Sequence, residues 1–116
     1  MPIESKTTIR WEDFQSIDLR AGTIVHAEVF KEARNPSYKL VIDLGELGTK
    51  KSSAQITELY EPSELIGKQV LCVCNLPPKQ IGPIQSEVLV TGFHNTDGQV
   101  SLASVDHRVP DGACLS

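Results

Sequence analysis

Seven consecutive residues set the terms for this fold. In Tyr38-Lys39-Leu40-Val41-Ile42-Asp43-Leu44, the side chains of Tyr38, Leu40, Ile42 and Leu44 alternate with those of Lys39, Val41 and Asp43. A period of two is the repeat of a β-strand, which sends successive side chains to opposite faces, whereas a helix would scatter the same residues around its circumference. Such a strand needs hydrogen-bonding neighbours along its edges and cover for its apolar face. The segment therefore predicts a sheet, assembled from what the rest of the chain supplies.

Those neighbours are short and often interrupted. Residues 17–30 read as a long strand, and Gly22 inside it predicts a bulge or bend of the kind that curls a strand around a small barrel. A connection over residues 31–37 leads into the alternating strand. Gly45-Glu46-Leu47-Gly48 then turns the chain into a polar third strand, about residues 49–55. Residues 56–66 read as helical or irregular, with Pro62 suited to a first helical position and Gly67 to a stop. Strands return at 69–76, ended by Pro77-Pro78, and at 87–93, while Ile81-Gly82-Pro83-Ile84 between them reads as loop. Asn95-Thr96-Asp97-Gly98 is a turn before a last strand at 100–105, and Pro110-Asp111-Gly112 is another.

Near the start, Glu12 and Asp13 favour a helix N-terminus, and Trp11, Phe14 and Ile17 give that short helix an apolar stripe. One or two helical turns do not hold in water alone, so the stripe must pack on its own domain's core or on a second subunit. The element order predicts an all-β fold, an OB-fold five-stranded Greek-key barrel with a short N-terminal helix and a short helical connection between strands 3 and 4.

The 116 residues suffice for one compact domain. The expected division is a flexible N-terminal segment, residues 1–10, followed by a single domain, residues 11–116. No apolar run approaches the roughly 18 to 20 residues of a membrane span, and Met1 to Arg10 carries no apolar signal core. The expectation is a soluble, cytoplasmic protein with no membrane insertion. Three cysteines cannot all pair within one chain; Cys72 and Cys74, two apart in an apolar run, read as small hydrophobes on one strand face. Cys114 and three scattered histidines do not supply metal-ligand spacing, so neither a metal nor a cofactor is expected.

Catalysis finds little support. There is no Gly-x-Ser-x-Gly and no glycine-rich phosphate loop. Asp106-His107 with Ser86 has the residue types of a triad, but sequence-adjacent Asp and His give no reason to expect its geometry. Charge is more informative. The net value of −4 argues against a strongly basic nucleic-acid binder, yet residues 31–51 carry five bases against three acids. Those bases are Lys31, Arg34, Lys39, Lys50 and Lys51, the single basic excess along the chain.

From Asp18-Leu19-Arg20-Ala21-Gly22-Thr23-Ile24-Val25 onward the chain resembles the tRNA-binding domains appended to some aminoacyl-tRNA synthetases and found as free-standing proteins. The likeness continues through Tyr38-Lys39-Leu40, Asp43-Leu44-Gly45, Leu65-Ile66-Gly67-Lys68-Gln69-Val70, Asn75-Leu76-Pro77-Pro78-Lys79 and Ser86-Glu87-Val88-Leu89. Residues 30–36 and 51–57 resemble the CsaA branch, described as secretion-related chaperones. The resemblance implies an OB fold, a homodimer that uses Trp11 and Phe14, and binding of tRNA or of unfolded or export-destined polypeptide. It implies no cofactor.

OB folds bind chains across strands two and three, between the loop joining strands one and two, here residues 31–37, and the loop joining strands four and five, here residues 94–98. The five bases are expected to track a phosphate backbone there, with Tyr38 or Phe30 offering a ring to a base. Tyr38 alternates in phase with Leu40 and Ile42, which equally fits a core position. Asn75, Ser86 and Glu87 match positions where the family places polar groups around its site; the alternative is that they satisfy backbone groups at strand ends. Ile81, Pro83, Ile84 and Leu89 either line a polypeptide groove or pack the core. Five phosphate contacts would give a log–log salt slope of about −3.5, roughly a hundredfold loss of affinity between about 50 and 200 mM salt.

Overall fold

The computed structural model of the protein describes residues 5–116; the first four residues of the expected N-terminal segment lie outside them. Residues 5–10 are exposed and have no regular secondary structure. Helix α1 follows, Trp11–Gln15, its first turn capped by the Asp13 carboxylate, which accepts the Arg10 N–H at 3.0 Å. No residue of α1 is buried. Trp11 and Phe14 meet each other with ring centroids 5.3 Å apart, and Trp11 stays 61% exposed. In the single chain the stripe is only partly covered: Phe14 is half-buried, while Trp11 and Ile17 are exposed.

The alternating segment is strand β2, Tyr38–Asp43, and its pattern is the one the sequence dictates: Tyr38, Leu40 and Ile42 are buried, their neighbours half-buried. It lies between β1, Leu19–Val29, and β3, Thr49–Ala54, in an antiparallel sheet of order β3-β2-β1-β4-β7, where β4 is Gln69–Val73 and β7 is Leu89–Val90. The sheet curls until β3 approaches β7, giving a nearly closed five-stranded barrel around Ile24, Leu40, Ile42, Leu44, Leu65 and Val70. Helix α2, Pro62–Leu65, links β3 to β4, with Pro62 opening it and Gly67, at φ 89°, turning the chain out. Tyr38 is a core residue whose hydroxyl donates to the Tyr60 carbonyl at 2.7 Å, so its ring is not offered to a ligand. Phe30 is buried as well.

Several sequence expectations need correction. The bulge in β1 falls between Ile24 and His26, not at Gly22. Gly22 instead marks a close approach: a Cβ there would stand 2.6 Å from Ile42 Cγ2 and 2.7 Å from Leu44 Cδ2. Residues 81–84, expected as loop, are the centre of a hairpin, β5 (Lys79–Ile81) and β6 (Ile84–Ser86), with only Gly82, at φ 52°, and Pro83 in its turn. The expected strand 87–93 is split at Thr91: β7 pairs with β4, while β8, Gly92–His94, leaves to pair with β9, Val100–Leu102.

The segment after Pro110 straps the first half of β1. Ala21 N–H donates to Ala113 O at 3.0 Å, Gly112 N–H to Ala21 O at 2.7 Å and Leu115 N–H to Leu19 O at 2.8 Å. Asp111 pins the strap by accepting from the Thr23 hydroxyl and from the Gln69 amide. Leu19 also faces Val73, and Val73 faces Leu89. Leu19, Val73 and Leu89 thus form one rung across β1, β4 and β7, extended by Leu115 of the strap, on the opposite side of β1 from Gly22 and the core. Leu115 and Leu89 are about half exposed.

The three cysteines sit in graded environments: Cys72 buried, Cys74 half-buried, Cys114 exposed. Burial, with help from Cys74, pushes the Cys72 thiol up to about 12. Under brief alkylation Cys114 is expected to react first, Cys74 slowly, and Cys72 only on unfolding, as peptide mass mapping would show. The sign for stability follows from the neutral thiol being favoured in the folded state. Its contribution is complete below the ordinary thiol value of 9.0 and is lost as pH rises toward about 12. Cys72→Ala should flatten that alkaline decline in denaturant melts, and an unchanged decline would assign it to other groups.

Candidate ligand groove

The seam between β3 and the chain before β7 is closed largely by side chains. Glu87 N–H donates to Lys51 O at 2.8 Å, and the Glu87 carboxylate accepts the Lys51 N–H at 3.0 Å. Ser86 Oγ accepts the Ser53 N–H at 3.1 Å, and the buried Ser52 hydroxyl donates to Val88 O at 2.8 Å. Polar residues here do what a strand ladder does elsewhere. Their partners account for why Ser86 and Glu87 occupy these places, whatever else they touch.

Beside the seam lies an open groove of about 1360 Å3. One wall is the β1–β2 connection with Arg34 and Pro36, continued by the end of β3 and Gln55; the other is the β5–β6 hairpin with Lys79. Its floor carries Leu76 and Leu89, both about half exposed, and its lip is the β8–β9 turn at His94 and Gly98. Arg34 and Lys79 are balanced by Glu32, Glu58 and Glu87, so the groove itself is not a basic channel.

The expected bases divide. Lys39 and Lys51 share the outer face of β2 and β3, on the adjacent rungs Glu28–Lys39–Ser53 and His26–Val41–Lys51. Ser53, on the first rung, also lines the groove, so that face and the groove are continuous. Lys39 lies 5.1 Å over the Phe30 ring centroid and 3.9 Å from Glu32 Oε1, which holds its stem down and its charge near the loop. Lys31 is exposed in that loop. Lys50 stands apart: its rung partner is the fully buried Ile42, so it belongs to the inward-facing register at the barrel end.

Asn75 is also away from the groove. Its amide accepts the Asp18 N–H at 2.9 Å and donates to Ser16 O at 2.7 Å, fastening the junction of α1 and β1. Asn75→Ala and Glu87→Ala are each expected to lower unfolding free energy by about 1 kcal/mol, measured in urea. A loss of ligand affinity without any loss of stability would mean that the side chain acts on ligand and not on the fold. Lys79 and Gln55 are groove residues that sequence reasoning missed, since no pattern singled them out, whereas His94 begins the loop, residues 94–98, expected to flank the site.

Asp106 and His107 are 3.4 Å apart, both almost fully exposed, while Ser86 is engaged with Ser53 on the seam. Among the described residues no group of three or more side chains is arranged to hold a metal ion, and no helix is long and apolar enough to cross a membrane.

A nearly closed antiparallel barrel with a groove between the β1–β2 connection and the β8–β9 turn is an OB-type domain, a class whose members bind extended chains in that place. Residues 19–114 match the family described as "Putative tRNA binding domain". The chain belongs to this tRNA-binding-domain family. It is 35% identical over 110 residues to a methionine–tRNA ligase of Methanococcoides burtonii, covering 95% of the chain and 16% of the relative. With that of Chlorobium chlorochromatii it shares 39% over 100 residues, 86% of the chain and 14% of the relative. The chain thus spans about one-sixth of the length of these ligases. Among solved structures it is similar to the chaperone CsaA of Bacillus anthracis, with 49% identity, TM-score 0.89 and coverage of 95% of this chain and 100% of that one. The CsaA chaperone protein of Picrophilus torridus gives 45%, 0.88, 94% and 100%.

Proposed function

We propose that this protein is a non-catalytic, cytoplasmic tRNA-binding protein that works as a homodimer. The observation that carries the reading is the family match over residues 19–114, joined to Lys39 and Lys51 on a face continuous with the groove. Lys31, Arg34 and Lys79 extend that face along both walls. Backbone phosphates would lie along these bases, and Gln55 and His94 would meet base edges. Net charge of −4 keeps the affinity of one subunit modest, and two linked sites raise it through effective concentration. For the dimer, the support is the exposed Trp11 against the half-buried Phe14, together with the half-exposed Leu115 on the strap.

The test is fluorescence anisotropy of labelled bulk tRNA at two salt concentrations, with sedimentation of the protein alone. Saturable binding that weakens steeply with salt is expected, along with a mass twice that of the chain. No binding at low salt would overturn the tRNA reading.

A second reading, capture of unfolded or export-destined polypeptide, is favoured by the apolar floor at Leu76 and Leu89 and by the balanced charge of the groove. An unfolded polypeptide added as competitor separates the two: displacement of tRNA would mean overlapping surfaces.

A further inference from the structure

The sequence holds two Asp-Gly pairs and no Asn-Gly. In such a pair the glycine nitrogen can attack the aspartate side-chain carbonyl, because no glycine Cβ obstructs the approach. Nitrogen bonds to Cγ, water leaves, and a five-membered succinimide forms. Water then opens that ring at either carbonyl, restoring aspartate or leaving an isoaspartate whose main chain runs through the former side chain. Two conditions control the step: the carboxyl must be free to turn back, and the nitrogen must be reachable.

The two pairs differ in both. Asp111 is held, its Oδ1 accepting from Thr23 Oγ1 at 2.6 Å and Gln69 Nε2 at 3.1 Å. The Gly112 N–H donates to Ala21 O at 2.7 Å within the strap, and both residues are half-buried. Asp97 and Gly98 are exposed at the tip of the β8–β9 turn. Among the described residues nothing hydrogen-bonds the Asp97 carboxylate. Gly98 N–H makes one turn bond, to Asn95 O at 3.0 Å, and the space around Gly98 is empty within 4 Å of where a Cβ would stand.

We propose that Asp97-Gly98 is a spontaneous isoaspartate site, and that the fold protects Asp111-Gly112 from the same reaction. The modified turn gains a methylene in its main chain where Gly98 and His94 form the lip of the groove. The modification therefore falls on the ligand surface. It also makes the protein a substrate for a methyltransferase that recognises isoaspartyl carboxylates, with S-adenosylmethionine as methyl donor.

The test incubates the purified native protein in warm, mildly acidic buffer, where part of the aspartate is protonated so that water can leave, and follows tryptic peptides. Residues 80–108 and 109–116 fall in separate peptides, each with one Asp-Gly pair. Peptide 80–108 is expected to split with time into two peaks of equal mass, the new one accepting a methyl group from isoaspartyl methyltransferase. Peptide 109–116 should stay single in the native protein and split in denaturant. Asp97→Glu should abolish the new peak from 80–108. Equal conversion of both peptides in the native protein would overturn the proposal. So would conversion of 80–108 in denaturant alone, or a new peak that survives Asp97→Glu.

Discussion

Gly22→Val is expected to leave most of the protein unfolded. The would-be Cβ stands 2.6 Å from Ile42 Cγ2, 2.7 Å from Leu44 Cδ2 and 3.0 Å from Asp43 O, and a real Cβ does not tolerate such distances. Ile42 and Leu44 are fully buried, so neither side chain has space to swing away. Overpacking of this kind costs about 1–3 kcal/mol for a small group, which sets the expectation for Gly22→Ala. Valine adds two further methyl groups to the same contact, against a total stability on the order of 5–15 kcal/mol for a domain of this kind. Urea melts followed by circular dichroism would check both variants. A native-like midpoint for Gly22→Val would mean that β1 does not lie as closely on Ile42 and Leu44 as described.

The second large effect concerns ligand. Lys39→Glu combined with Lys51→Glu should lower tRNA affinity at low salt by about tenfold or more and reduce the magnitude of the log–log salt slope by about 1.4, two phosphate contacts' worth. Both side chains lie on the outer face, so dimerisation should not change, and stability should fall only by what Lys39 loses against Phe30 and Glu32. Lys50→Glu is the internal comparison. Its register on the inward side predicts a smaller loss of binding and a larger loss of stability. If the double variant binds as the parent does, the outer face of β2 and β3 is not where phosphates lie.

How far the sequence led depends on the kind of signal each element carries. β2 was legible because four apolar side chains set its phase unambiguously. The helical link between β3 and β4 was legible through Pro62 and Gly67, whose conformational limits act locally. The β5–β6 hairpin was not, since strands of three residues offer too few positions for a period to show. β3 is polar along its length, so its alternation gave no phase; only the structure separates Lys51 from Lys50. Ser86 and Glu87 match family positions, but their bonds to Ser53 and Lys51 span 33 and 36 residues and leave no local trace. The groove exists only once these distant segments meet, and so Lys79 and Gln55 could not be assembled from the chain alone, while the loop that begins at His94 could.

The strap along β1 bears on how the protein is made. Residues 111–115 bond to a strand that leaves the ribosome some 90 residues earlier, as the Arg20–Gly112 separation of 92 shows. Until they emerge, the first half of β1 has β4 on one side and an open edge on the other. A nascent chain therefore carries an unsatisfied strand edge until those residues are made, the condition under which sheets mispair with other chains. The strap is thus a latch on an edge that the barrel core by itself leaves open.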